Sequence, residues 1–225
     1  DWDRLVFTLD EKVSRSVREC FVRLYQDGLI YREQAMIQWC PRCLTALSDL
    51  EVKFKEVKGK LWRIKYPLAN YPGEFLIVAT TRPETLLGDT AIAVHPEDER
   101  YQKWIGKSAV LPLVEREIPV IGDEKVEKEF GTGVLKITPA HDPNDYEIGK
   151  AHQLAFISVF DDHAKVNEQG GVYQGLSREK AREKVVEDLK ARDLFEGDEN
   201  ITHQVGHCDR CGVRVEPKVS AQWFV

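Results

Sequence analysis

Cys40-Pro-Arg-Cys43 and Cys208-Asp-Arg-Cys211-Gly212 are two CxxC turns, and such a turn delivers two thiolates to one ion. Zinc takes four soft ligands in a tetrahedron, so Cys40, Cys43, Cys208 and Cys211 form a candidate site for structural zinc, with no position left open for a substrate. Between Cys43 and Cys208 lie 164 residues, far more than in an ordinary zinc ribbon. The two turns are therefore expected to meet at a stem, with residues 60–195 as a separate body. A pair of local disulfides or of buried thiols is the plain alternative, and His203 and His207 are near enough to replace a cysteine ligand.

Two other segments carry polar groups at telling spacings. Lys136 and Thr138 share one face of an expected strand, at period two, and point to where Pro143 opens a helix. Asp142 and Asp145 stand at that junction. Capping accounts for both acids, yet a cation, a hydroxyl and two carboxylates at one strand-to-helix junction exceed what capping requires. The second segment, Thr80-Thr81-Arg82-Pro83-Glu84-Thr85, follows a buried strand and can present hydroxyls and a guanidinium to a small polar substrate. Its structural alternative is a capping box from Thr81 to Glu84, ended by Gly88. A glycosidase-type carboxylate pair fits less well, and Gly131-Thr-Gly133 is too short for a nucleotide fingerprint. No Ser-His or Cys-His nucleophile is evident, and His141 alone does not make one.

The elements that must position these groups are legible in outline. Residues 8–28 read as an amphipathic helix, with Thr8 and Glu11 as a capping box, Gly28 as the stop and Cys20 on the apolar stripe as a core residue. Trp62, Ile64 and Tyr66 alternate in a strand over 60–67. A turn at Asn70-Tyr71-Pro72-Gly73 then leads into the apolar run 75–80, which makes a hairpin. Further strands are expected at 90–95, 109–114, 118–121 and 134–138. A short helix is expected after Pro143, and a long one over 177–193 capped by Ser177 with Ala181, Val185 and Leu189 inward.

The composition, 42% apolar and 31% charged over 225 residues, supports a packed core and excludes a disordered or collagenous chain. No apolar run approaches the ~20 residues that cross a bilayer. The net charge of −6 lacks the bulk basic character of a protein that wraps nucleic acid, though a local basic patch remains open. Five cysteines without a secretion signal favour a reducing compartment, the cytoplasm by default. The chain opens without Met and stops on Gln222-Trp223-Phe224-Val225, which is expected to be a cut from a longer protein.

The run TTRPETLLGDTAIAVHPEDERY at 80–101, with EFGTGVLKITPAHDPNDYEIG at 129–149, resembles the editing domain of class I aminoacyl-tRNA synthetases. WCPRCLTALSDLEV at 39–52 and EPKVSAQWFV at 216–225 resemble the flanks of that insertion in the valyl branch, and the resemblance covers essentially all 225 residues. Leucyl members typically carry Met, and isoleucyl members His, where Lys136 stands here. Many bacterial valyl enzymes lack the cysteine turns, so the zinc rests on this chain's own four cysteines.

The resemblance implies a mixed α/β fold: a distorted β-barrel editing core with flanking helices, over a small zinc-ribbon-like stem. It divides the chain into residues 1–58 (first helix and knuckle), 59–195 (editing domain) and 196–225 (second knuckle and return strand). The insertion sits between the halves of a Rossmann catalytic domain that is absent here, and ATP and valine activation belong to that domain. The implied reaction is hydrolysis of the ester between threonine and the terminal adenosine of tRNA(Val), since an apolar synthetic pocket rejects threonine only about a hundredfold, the value known for this enzyme class. Asp145 would bind the substrate α-ammonium. Lys136, Thr138 and Asp142 would line the side-chain pocket, and Thr80, Arg82 and Phe130 would hold the adenosine. Thr81, Glu84 and His141 complete the expected substrate shell, with His141 either a general base or a structural histidine. The expected partners are the acceptor end of tRNA(Val) and the parent's catalytic domain, with no membrane and a monomeric fragment. The alternatives are a leucyl- or isoleucyl-type editing domain, or a non-catalytic zinc-containing tRNA-binding module.

Overall fold

The computed structural model describes residues 2–225. In chain order the elements are α1 (Glu11–Gln26), β1 (Tyr31–Cys40), β2 (Thr45–Leu47), β3 (Val52–Pro67), β4 (Phe75–Thr80), β5 (Ala91–Val94), β6 (Ser108–Val110) and β7 (Glu117–Gly122). They continue with β8 (Val134–Ile137), α2 (Pro143–Ala151), α3 (Arg178–Ala191), β9 (Phe195–Cys208) and β10 (Glu216–Phe224). The mixed α/β class is the one expected. The strands fall into three sheets, ordered β10-β1-β2, β4-β3-β9 and β6-β7-β5-β8. The chain forms two compact units. One runs to Ala35 and includes Ser220–Val225; the other is Met36–Val219.

In the smaller unit, α1 starts later than expected. Asp10 is its N-cap residue, and the Asp10 carboxylate accepts from Phe7 N at 3.0 Å, so the Thr8–Glu11 box does not form. Gly28, at φ +74°, ends the helix in a backbone conformation that favours glycine. The expectation that Cys20 is a core residue is overturned, because Cys20 is exposed and α1 buries no residue. On the apolar stripe Phe21 and Tyr25 meet Trp223, with centroids 5.2 and 6.0 Å apart, and Val13 and Leu24 are half-buried, while Val17 stays exposed.

The larger unit is organised by the β3–β4 hairpin, in register from Trp62↔Thr80 to Pro67↔Phe75. Its turn uses left-handed backbone at Asn70 and Gly73, and Ile64 and Tyr66 are fully buried. The sequence reading places no strand over most of β9, yet β9 pairs with β3 from Val52↔Cys208 to Ile64↔Phe195. Acidic residues crowd its first half and hide the period. Lys60–Asp198, Arg63–Glu199 and Lys65–Glu196 ion pairs at 2.7, 2.8 and 3.0 Å, largely solvated, match them across the ladder. β-propensity here is decided by the neighbouring strand. The strand expected over 109–114 is shorter, because Leu113 and Glu115 turn the chain at φ 67° and 61°.

Three elements frame the site. β5 is buried along its whole length and pairs with β8 so that Ile92 faces Lys136. α2 is capped by Asp142, whose Oδ1 accepts from Asn144 N and Asp145 N at 2.8 and 3.2 Å. α3 is capped by Ser177 and presents Ala181, Val185 and Leu189, all fully buried, to the core. The turn Pro83–Gly88 is buried throughout, but the Thr81–Glu84 box is not what shapes it: Arg82 is its N-cap residue and makes no side-chain cap.

Candidate functional site

The β3–β9 ladder brings Cys208 level with Val52, while the β1–β2 hairpin carries Cys40 into the same cluster. The four sulfurs of Cys40, Cys43, Cys208 and Cys211 lie within 4.8 Å of one another, so the two turns meet as expected and the cluster can hold a metal ion. Tetrahedral zinc with Zn–S bonds of ~2.3 Å needs sulfurs about 3.8 Å apart, which this spacing accommodates. All four thiols are free, and the Cys40–Cys211 sulfur separation of 3.4 Å is non-bonded, which sets aside the disulfide alternative. The Cys43 backbone N–H donates to Cys40 Sγ at 3.3 Å, the kind of outer-sphere bond that orients a thiolate ligand. His203 and His207 do not belong to the cluster.

The polar junction of β8 and α2 closes around an acid that the sequence reading did not single out. Asp89 is fully buried; its Oδ1 accepts from Lys136 Nζ at 2.9 Å and Thr138 Oγ1 at 2.6 Å, and its Oδ2 accepts from Tyr66 OH at 2.7 Å. Lys136 Nζ also donates to Thr85 Oγ1 at 2.8 Å and, in a short contact, to Thr138 Oγ1. All three ammonium protons are thereby engaged. Burial raises the Asp89 carboxyl above the ordinary value, against the pull of Lys136 and the two hydroxyls. The signal for Asp89 was present: an isolated carboxylate inside the apolar run LLGDTAIAV needs a buried cation.

Asp145 is 6% exposed, and its Oδ2 accepts from Thr138 N at 2.8 Å. Burial first, and then the neighbouring Asp142, push its pKa up to about 7. Among the described residues no cation forms an ion pair with it, although the Lys136 charge acts on it from a distance.

Arg82, Glu84 and His141 are tied into an ionic network. Arg82 donates to His141 O at 3.0 Å, lies 3.4 Å from Glu84 and forms a short ion pair with Glu216. Arg182 grips Glu84 in a two-point bond at 2.8 and 2.7 Å, and Arg178 reaches Glu216 at 3.0 Å. Burial alone would raise both acids; Arg182 outweighs it at Glu84, and Arg82 at Glu216, and both carboxyls lie below the usual range. Burial lowers the His141 pKa, so the ring is neutral. Its Nε2 accepts from Val159 N at 2.8 Å, which assigns the proton to Nδ1, 3.6 Å from Glu216. No basic lone pair remains for a general base.

A cavity of about 240 Å³ is lined by Thr80, Thr81, Arg82, Phe130, Lys136, Thr138, His141, Asp142 and Asp145, nine of the ten expected substrate-site residues. Glu84 alone lies outside it, under the Arg182 fork. Phe130, 60% exposed, stands at the rim. Ala79, Phe130, Leu135 and Asn144 also line a neighbouring cavity of about 670 Å³. Protein acceptors engage three of the five Arg82 N–H donors, which fixes the guanidinium in the cavity wall.

The profile of the class I tRNA synthetases (I, L, M and V) matches residues 1–225. The valine–tRNA ligases of Thermotoga maritima and Geobacter sulfurreducens are each 58% identical over 225 residues, which is all of this chain and 26% and 25% of theirs. That of Carboxydothermus hydrogenoformans is 59% identical, again over all of this chain and 26% of its own. This chain thus spans about a quarter of the length of the curated relatives it matches. Among solved structures, LeuRS of Agrobacterium radiobacter K84, in a LeuRS–tRNA–LeuAMS ternary complex, is similar with a TM-score of 0.48 and 18% identity, over 93% of this chain and 36% of that one. Among the described residues, no helix is long and apolar enough to cross a membrane.

Proposed function

The chain belongs to the class I tRNA synthetase family (I, L, M and V), and from that premise we propose that it is the editing portion of a valyl enzyme, hydrolysing threonine from mischarged tRNA(Val). The observation that carries this reading is the pairing, in one small cavity, of an unneutralised carboxylate with a saturated polar cluster. Asp145, close to half-ionised at neutral pH, receives the substrate α-ammonium, which stabilises its charged form. Threonine and valine differ by a hydroxyl for a methyl, so the site must read that hydroxyl. Lys136 has no proton left to give, whereas Thr138 Oγ1 and Thr85 Oγ1 each keep an acceptor lone pair. The threonine hydroxyl therefore donates to one of these oxygens, and valine leaves that acceptor buried and unsatisfied, a penalty of roughly 1–3 kcal/mol.

The ester is cleaved by a positioned water. His141 takes no part as base, because its Nε2 lone pair holds the Val159 N–H. The terminal adenosine lies against Phe130 and extends into the larger neighbouring cavity. ATP and valine belong to the catalytic domain of the parent. The reading is tested by deacylation of threonyl- against valyl-tRNA(Val) by the full-length protein and by this chain. Selective loss of threonine is expected. Equal hydrolysis of both esters, or of a leucyl or isoleucyl pairing instead, removes the valyl assignment, and binding without hydrolysis favours a tRNA-binding module.

We also propose that the metal of the four-cysteine cluster is zinc. It would be a structural ion that ties the β1–β2 hairpin to β9, held by Cys40, Cys43, Cys208 and Cys211. One zinc per chain is expected by elemental analysis. Cys208→Ser should abolish it and lower the thermal midpoint by about 10 °C or more. A metal-free protein of unchanged midpoint would remove the assignment.

A further inference from the structure

A third cavity, of about 350 Å³, adjoins the candidate site through Thr81, Arg82 and Asp142, which line both. Arg214, His203 and Phe54 are among the other residues of its wall. Arg214 is half-buried, yet among the described residues its guanidinium has no hydrogen-bond or ion-pair partner. The carboxylates around it are engaged elsewhere. Arg82 and Arg178 pair with Glu216, Arg182 with Glu84, and Arg178 also with Glu179. Asp142 caps α2, and its charge acts on Arg82. Burial and then the nearby Arg82 hold the Arg214 pKa down to about 10, as expected of a cation that its surroundings leave unneutralised. His203 Nδ1, also on this wall, is buried without a partner, and burial keeps the ring neutral.

An aromatic ring lines the same cavity. Phe54 pairs with Gly206 across the β3–β9 ladder, so no side chain covers it, and it is 65% exposed. A Cβ on Gly206 would come within 3.6 Å of the Phe54 ring. A guanidinium without an anion beside an open aromatic face is how proteins hold single-stranded nucleic acid: phosphate on the cation, base on the ring.

We propose that this cavity binds a backbone phosphate of a single RNA strand 5′ to the nucleotide whose aminoacyl ester occupies the neighbouring site, with Arg214 on the phosphate and Phe54 under the adjoining base. The proposal rests on the reading that an aminoacylated RNA end is the substrate. Arg214 is then a binding residue that fixes the path of the strand into the site.

The test compares, in the full-length protein, hydrolysis of threonyl-RNA with that of threonyl-adenosine, which has no phosphate. Arg214→Ala should raise the KM for the RNA ester about tenfold more than that for the adenosine ester. The salt dependence of single-stranded RNA binding, as a log–log slope, should fall by about 0.7, the share of one phosphate. Phe54→Ala should weaken RNA binding without changing that slope. Equal penalties on the two esters with an unchanged slope overturn the proposal and leave the function standing. If the unaltered protein cleaves neither ester, the function is wrong, and binding of an RNA trinucleotide then decides the site: weakening by Arg214→Ala sustains it, and indifference overturns it. Inorganic phosphate that binds as tightly as the trinucleotide, with the same dependence on Arg214, makes this a free-anion site and overturns the RNA assignment.

Discussion

Asp145→Asn abolishes threonyl-ester hydrolysis, a loss of at least about a hundredfold in kcat/KM, and at the same time makes the protein more stable at pH 8. The two effects share one cause. Burial holds the Asp145 carboxyl at a pKa of about 7, against an ordinary value of 3.8. The folded chain therefore binds this proton more tightly than the unfolded chain. The resulting stabilisation is complete below the unfolded value, near pH 4, and is lost as the pH rises through 7. Above that, the native state carries a desolvated carboxylate at a cost on the order of 4 kcal/mol. Asparagine does not titrate, and its carbonyl can still accept the Thr138 N–H that Asp145 Oδ2 now takes. Urea unfolding across pH should show no difference between the two proteins at pH 4 and a growing advantage for the variant up to pH 8. Full activity in Asp145→Asn or Asp145→Ala would remove the ammonium-binding role, and a flat stability difference would mean that the carboxyl is solvated. Activity that depends on a group unfavourable to the apo fold is the ordinary trade between function and stability.

The second large effect is at Asp89. Asp89→Asn leaves the Lys136 ammonium buried and without its counter-charge, while an amide oxygen still accepts hydrogen bonds from Lys136 and Thr138. Breaking one side of a buried pair costs about 3–5 kcal/mol, mostly because the remaining charge is stranded. Removing the stranded charge with Lys136→Met in the same chain should restore most of the lost stability, since a well-packed apolar pair can replace a buried ion pair. Discrimination between threonyl and valyl esters should not return with it, because Thr138 and Thr85 would no longer be held in place by Lys136. A double-mutant cycle in urea reads the coupling directly. Additive single effects would mean that Asp89 and Lys136 do not act as a unit.

The extent to which the sequence was legible follows what each feature depends on. The β3–β4 hairpin, β5, β7, β8, α2 and α3 are encoded locally, by alternation, caps and left-handed turn residues, and stand where that pattern put them. The CxxC turns announced a four-thiolate cluster, because two thiolates at that spacing serve one ion and the chemistry of the ligands does not depend on the fold between them. Lys136, Thr138, Asp142 and Asp145 were identified as a convergent set by spacing alone, since a strand of period two running into a capped helix leaves their faces little choice.

What the sequence could not determine is everything decided between distant segments. β9 hides its period under acidic residues and is a strand because β3 offers a ladder and matching cations. Cys20 lies on an apolar stripe, yet the structure leaves it exposed. The commitment of Arg82 to Glu84, His141 and Glu216, 134 residues apart at the widest, fixes the guanidinium of an expected substrate ligand in the wall of the site. Asp89 became the centre of the cluster only when β5, β8 and Tyr66 closed on it and excluded water. Local sequence sets which backbone path and which face a residue can take. Whether a charge is matched, buried or left waiting for a ligand is set by which other charges the fold places within a few ångströms, and only the tertiary structure decides that.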